Sequence, residues 1–181
     1  MDWIGRLLRS RRAGEESLAW HRSGLDAAPA IGVTSPDFRD DTPIPKRNAG
    51  RPIGENVSSA LQWSGVPPTA QELVLIVEDA DVPFSRPIVH AIARLAPDLT
   101  GLAEGDLEAG GAHGEGRGSF DRPGYHGPRP IPGHGPHHYV FQLFALDRPI
   151  PGDSTLRPRT IMAAMSGHVL ARGRLTGTYE R

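Results

Sequence analysis

The chain has no cysteine among its 181 residues. Disulfides, thiolate nucleophiles and thiolate metal sites are therefore excluded, and the fold has to be stabilised by a packed core. Net charge is nearly absent as well, with 20 Lys and Arg against 21 Asp and Glu, a formal −1. Nucleic-acid binding normally shows as a strongly basic face, so nucleic acid is not expected as a partner. Long apolar runs are also missing, and no segment approaches the roughly 20 residues that a helical membrane span needs. At the N-terminus Trp3-Ile4 and Leu7-Leu8 are interrupted by Arg6 and followed by Arg9, Arg11 and Arg12, which is not the pattern of a signal peptide. These absences together predict a cytoplasmic protein without an integral membrane segment.

Several chemical signatures are absent too. There is no Gly-x-Ser-x-Gly elbow, no Gly-x-x-x-x-Gly-Lys phosphate loop and no His-Glu-x-x-His pairing. Gly114-Glu115-Gly116-Arg117-Gly118 lacks the spacing of a dinucleotide fingerprint and reads as a flexible loop.

What is abundant is glycine and proline, 22 and 18 residues, set between apolar runs. They read as turns of a β-rich fold. The length fits one domain, which buries roughly 70% of its unfolded surface. Residues 73–79, Leu-Val-Leu-Ile-Val-Glu-Asp, are apolar on both faces and predict a central strand that carries Asp79 at its end. Residues 88–95 predict a second strand, with Ile88, His90 and Ile92 sharing a face. Residues 139–146 predict a third, with His137 on the face of Tyr139. A helix is expected from Pro158 or Arg159 to about Arg172, with Ser154 or Thr155 as cap and Ile161, Met162, Met165 and Val169 inward, followed by a closing strand over residues 175–180. His168 falls in that helix and reads as structural. Residues 101–136 form the longest irregular stretch, whose glycines predict mobility in its first half. Residues 2–12 predict a short amphipathic helix with Trp3, Ile4, Leu7 and Leu8 on one side, packed on the domain or on a second subunit.

The most informative stretch is residues 127–146, Gly-Pro-Arg-Pro-Ile-Pro-Gly-His-Gly-Pro-His-His-Tyr-Val-Phe-Gln-Leu-Phe-Ala-Leu. A stiff loop here leads into an apolar strand and can hold His137 and Tyr139 at a pocket mouth at low ordering cost. It resembles the signature of the phosphatidylethanolamine-binding protein (PEBP) family, the Raf kinase inhibitor-like proteins. That signature runs Gly-Pro, prolines, Gly, then His-x-Tyr opening a strand. Asp79-Ala80-Asp81-Val82-Pro83 is similar to the family's acidic run. Upstream, Ser35-Pro36-Asp37-Phe38-Arg39-Asp40, Ile44-Pro45-Lys46 and residues 55–67 extend the likeness in its bacterial form. Downstream, residues 167–171 and 177–179 resemble the closing helix and strand. The resemblance covers residues 34–181 and leaves 1–33 as an N-terminal extension. It implies a mainly β sandwich, a large antiparallel sheet packed on a smaller one, with a few short helices.

It further implies a ligand pocket formed by Asp79, His90, Gly127, Pro128, His137 and Tyr139, with Asp81 and Pro83 shaping the acidic loop. Histidine and tyrosine donors and a glycine-loop backbone suit phosphate oxygens, while Asp79 suits a cationic end or the orientation of a histidine. The implied function is non-enzymatic binding of a phosphate-containing or other anionic small group, phosphoethanolamine-like, with modulation of protein partners such as kinases. Three departures stand out: Ile88 and Ala91 flank His90 where family members often carry tryptophan, Ala80 replaces a proline, and His138 replaces an arginine. Two other classes stay open: a small hydrolase or metal-dependent enzyme using Asp79, His90 and His137, and a homodimeric interaction protein with a vestigial pocket. His113, His126, His134, His137 and His138 cluster in one loop-rich stretch, and they read as surface histidines rather than as metal ligands.

Overall fold

A computed structural model describes residues 3–153 and 157–181. The strands are β1 (Gly32–Thr34), β2 (Thr42–Pro43), β3 (Leu61–Ser64), β4 (Glu72–Asp79), β5 (Ile88–Leu95), β6 (Gly101–Leu102), β7 (His137–Leu146) and β8 (Val169–Tyr179). Two α-helices, α1 (Trp3–Leu8) and α2 (Pro158–Met165), and four short 3-10 turns complete the regular structure of the described residues. A five-stranded sheet runs in the order β2-β8-β7-β4-β5, and a three-stranded sheet in the order β1-β3-β6. Every pairing is antiparallel except the short edge pair of β2 with β8. The fold is thus the expected mainly β sandwich.

The apolar runs explain the layering. Alternation sends Leu73, Leu75 and Val77 of β4 and Phe141 and Leu143 of β7 toward the small sheet, where they meet Val33, Leu61, Trp63 and Leu102. Val74, Ile76, Phe144 and Leu146 face the other way and are covered by Ile161, Met162 and Met165 of α2 together with Ala19 and Leu25. A strand buried on both faces has to be apolar at nearly every position, and β4 is buried along its whole length.

The described structure departs from the sequence reading in four places. Helix α2 stops at Met165, because Gly167 turns the chain at φ +79° and β8 starts at Val169. Val169 still packs beside the α2 cluster, but from a strand. His168 lies in the connecting turn, with Nδ1 2.9 Å from Asp147 Oδ1. The cap positions Ser154 and Thr155 fall outside the described residues.

In the second departure, α1 meets the domain through Gly5 and not through its large apolar residues. Trp3, Ile4 and Leu7 are 67%, 42% and 71% exposed. Third, Gly111, Gly114, Gly116 and Gly118 each approach another backbone closely, while Gly110 stands open. A Cβ at Gly116 would stand 1.7 Å from the Ile92 carbonyl oxygen, so glycine there permits backbone contact.

The fourth departure is a β-bulge. The β4–β5 register shifts between Val77 and Glu78, which leaves His90 outside the pairing of Val77 with Ala91 and Glu78 with Val89. The extra residue reverses the alternation, so His90 does not share a face with Ile92. Ile92 packs in the α2 cluster, whereas His90 meets Tyr139 edge-on, ring centroids 5.0 Å apart.

Candidate functional site

Strand register brings the candidate residues to one end of the large sheet. Asp79, the last residue of β4, pairs with Tyr139 of β7 on one side and Ile88 of β5 on the other. His137 opens β7 on the same face as Tyr139, and the bulge turns His90 toward both.

A row of hydrogen bonds starts at Asp79, whose side chain is 2% exposed. Its Oδ2 accepts from Nδ1 of His137 at 2.7 Å, and its Oδ1 accepts from the Asp81 backbone N–H at 2.8 Å. Nε2 of His137 lies 2.8 Å from Nδ1 of His134, and Nε2 of His134 donates to the Leu8 carbonyl at 2.9 Å. Burial and then the neighbouring His137 push His134 below the ordinary imidazole range. His134 and His137 are therefore interior residues, contrary to their reading as surface histidines.

His90 is buried, and its Nδ1 donates to the His126 carbonyl. Burial lowers its pKa and outweighs the opposing charge of Asp79. The neutral ring therefore presents a lone pair at Nε2, an atom with no partner among the described residues. Tyr139 is held as the phenol, because burial and then the Asp79 charge push its pKa well up.

These groups line a cavity of about 240 Å3, whose wall includes Asp79, His90, Gly127, His137 and Tyr139. Pro83 also lines it, next to Phe84 on the rim. Phe84 and Phe120 are 55% and 72% exposed, and Phe120 holds φ +63°, an outlying backbone for a bulky residue. Arg122 and Arg129 add positive charge to the wall. Asp81 and Pro128 do not line the cavity. Asp81 turns to the outer surface, where its Oδ2 accepts from the His138 backbone N–H and Nδ1, each at 2.7 Å, and its Oδ1 pairs with Arg12. Burial raises the Asp81 carboxyl, but His138 and Arg12 outweigh it and leave its pKa lowered. The Gly127 N–H donates to Asn56 Oδ1 at 2.9 Å and is not open to an anion. Among the described residues, no three His, Asp or Glu side chains are arranged to hold a metal ion.

The sequence reading missed His126 and His134 as parts of the site, together with Asn56 and the rim pair Phe84 and Phe120. For His134 the available signal was its position three residues before His137. A buried loop histidine at that spacing can reach its neighbour's ring.

Fold and site define a β-sandwich with a preformed cavity at a sheet end, built around an Asp–His pair and a buried tyrosine. The family model described as phosphatidylethanolamine-binding protein matches residues 34–180, and the chain belongs to this family. A UPF0098 protein of Methanothermobacter thermautotrophicus is 38% identical over 147 residues, 80% of this chain and 95% of that one. The crystal structure of CT736 from Chlamydia trachomatis, described as a PEBP homolog, aligns with TM-score 0.75 and 34% identity over 85% of this chain and 99% of that chain. E. coli YbcL aligns with TM-score 0.77 and 26% identity over 84% and 99%. No helix of the described residues is long and apolar enough to cross a membrane.

Proposed function

We propose that the chain is a non-enzymatic, cytoplasmic binding protein whose cavity takes a phosphate-containing head group, zwitterionic and phosphoethanolamine-like. The observation that carries this reading is the division of charge in the wall. Asp79 and the His90 lone pair suit a cationic or N–H-bearing end, and Arg122 and Arg129 suit phosphate oxygens. Neither His90 nor His137 has an N–H free for the anion, so the arginines take that role. Modulation of protein partners such as kinases is proposed on the family likeness alone.

Binding rather than turnover is supported by the same bonds. Both His137 nitrogens are engaged, so the Asp79–His137 pair has none left to take a proton from a nucleophile. Ser119 on the wall accepts from the Val89 N–H at 2.9 Å. Calorimetric titration with phosphoethanolamine and with inorganic phosphate, alongside folded Asp79→Ala and His137→Ala variants, tests the proposal. Saturable heat lost in both variants is expected, and absence of heat with the wild type overturns it.

A homodimer is the second reading, favoured by the exposed Trp3, Ile4 and Leu7 of α1. Light scattering of a Trp3→Ser/Leu7→Ser variant tests it, and a mass equal to the wild type's rules out α1 as the interface.

A further inference from the structure

We propose that His134 is a positioning residue for the Asp79–His137 pair, and that the N-terminal segment, through the Leu8 carbonyl, fixes the His134 ring from behind the pocket wall. The inference rests on the binding reading above only in its affinity readout. Residues 3–33 lie outside the region matched by the family, so the device belongs to this chain's own extension.

The protons along one row can be counted. Asp79 Oδ2 at one end and the Leu8 carbonyl at the other can only accept while the carboxylate is ionised. Each end therefore needs an N–H aimed at it, from His137 Nδ1 and from His134 Nε2. The central contact, His137 Nε2 to His134 Nδ1 at 2.8 Å, needs one hydrogen of its own. The two rings then share one proton more than two neutral imidazoles hold, balanced by the Asp79 carboxylate. The Leu8 carbonyl decides the arrangement, because it pins the His134 hydrogen on Nε2 and leaves Nδ1 as the acceptor for His137. Without Leu8, His134 is free to change tautomer and the His137 ring loses its fixed partner.

The segment is strapped to both loops beside the cavity. The N–H groups of Ala13 and Gly14 donate to the carbonyls of Val82 and Ala80 at 3.0 and 3.1 Å. Arg12 pairs with Asp81 and donates to the Pro136 carbonyl at 3.2 Å. At Gly5 a Cβ would stand 2.1 Å from the Pro132 carbonyl oxygen, so α1 docks only with glycine there.

Gly5→Ala is therefore a wedge that lifts α1 off the loop of residues 132–134, where the added Cβ would also stand 2.6 Å from the His134 backbone N. Ring-nitrogen NMR of the ligand-free full chain is expected to show His134 as the Nε2–H tautomer in the wild type. In Gly5→Ala the His134 and His137 ring signals shift and amide exchange at Ala13 and Gly14 quickens. Phosphoethanolamine affinity falls about tenfold, the worth of one charge-assisted hydrogen bond. His134→Ala falls equally, while His134→Gln, whose amide supplies both an acceptor and a donor, stays within about threefold of the wild type. Unchanged ring signals in Gly5→Ala overturn the proposal, whether or not the amides exchange faster. Absence of wild-type heat would sink the binding reading alone, because the ring signals are read without ligand.

Discussion

Replacing Asp79 separates a buried charge pair from an ordinary hydrogen bond. The carboxylate is 2% exposed and accepts from His137 Nδ1 at 2.7 Å and from the Asp81 N–H at 2.8 Å. Asp79→Ala leaves the extra proton of the histidine row without its counter-charge and the Asp81 N–H without an acceptor. Breaking a buried pair in this way costs about 3–5 kcal/mol. Asp79→Asn keeps the shape and the acceptor for Asp81, and its amide can donate to a neutral His137. Its expected cost is about 1–2 kcal/mol, the net worth of the lost charge assistance. Urea unfolding followed by tryptophan fluorescence resolves the two. With a slope of about 2–3 kcal/mol per molar, the midpoint falls by about 1.5 M for alanine and about 0.5 M for asparagine. Equal midpoints for the two variants would refute the charged-pair reasoning, and so would a loss below about 1 kcal/mol for alanine.

Two further outcomes are expected. Glu78 is buried and accepts from the Ala19 N–H at 2.7 Å and from Gln142 Nε2 at 2.9 Å, and burial pushes its carboxyl above the ordinary value. The folded chain then holds this proton more tightly than the unfolded one, so the wild type loses stability as pH rises from about 4.3 through the folded value. Glu78→Gln does not titrate, and its stability relative to the wild type should rise over that window. Parallel urea midpoints at about pH 4 and about pH 8 would contradict this. Gly116→Ala sets a Cβ 1.7 Å from the Ile92 carbonyl oxygen, and calorimetric unfolding should show a loss of about 2–3 kcal/mol. An unchanged melting temperature would mean that the loop simply moves aside.

The long strands were readable because their signal is long. β4, β5 and β7 each carry at least eight residues of apolar pattern, and burial on both faces leaves little room for other readings. β1, β2, β3 and β6 have two to four residues each, too few for alternation to show, and they are fixed by pairing alone. The end of α2 was misjudged because Met165 and Val169 continue the helical spacing across Gly167. Only the left-handed backbone of that glycine breaks it. In the site, the strand-end position of Asp79 and the shared face of His137 and Tyr139 follow from period two, and their grouping in one pocket from the family resemblance. The inward turn of His90 does not, since a bulge inserts one residue without leaving a compositional mark. The roles of His126 and His134 depend on loop carbonyls and a remote helix end, which no local pattern encodes.

The sheet order also bears on how the molecule assembles. β8, last in the chain, lies inside the large sheet between β2 and β7, and Arg172 and Arg174 on it hold Trp20 and Glu15 from near the start. These contacts join positions 152 and 159 residues apart, so their loop-closure entropy has to be met late. On a ribosome the early segment emerges long before its partners exist. Its bonds to Arg172 and Arg174 wait until β8 has been made, and the cavity wall that His137 and Tyr139 complete is finished only after β7 has emerged.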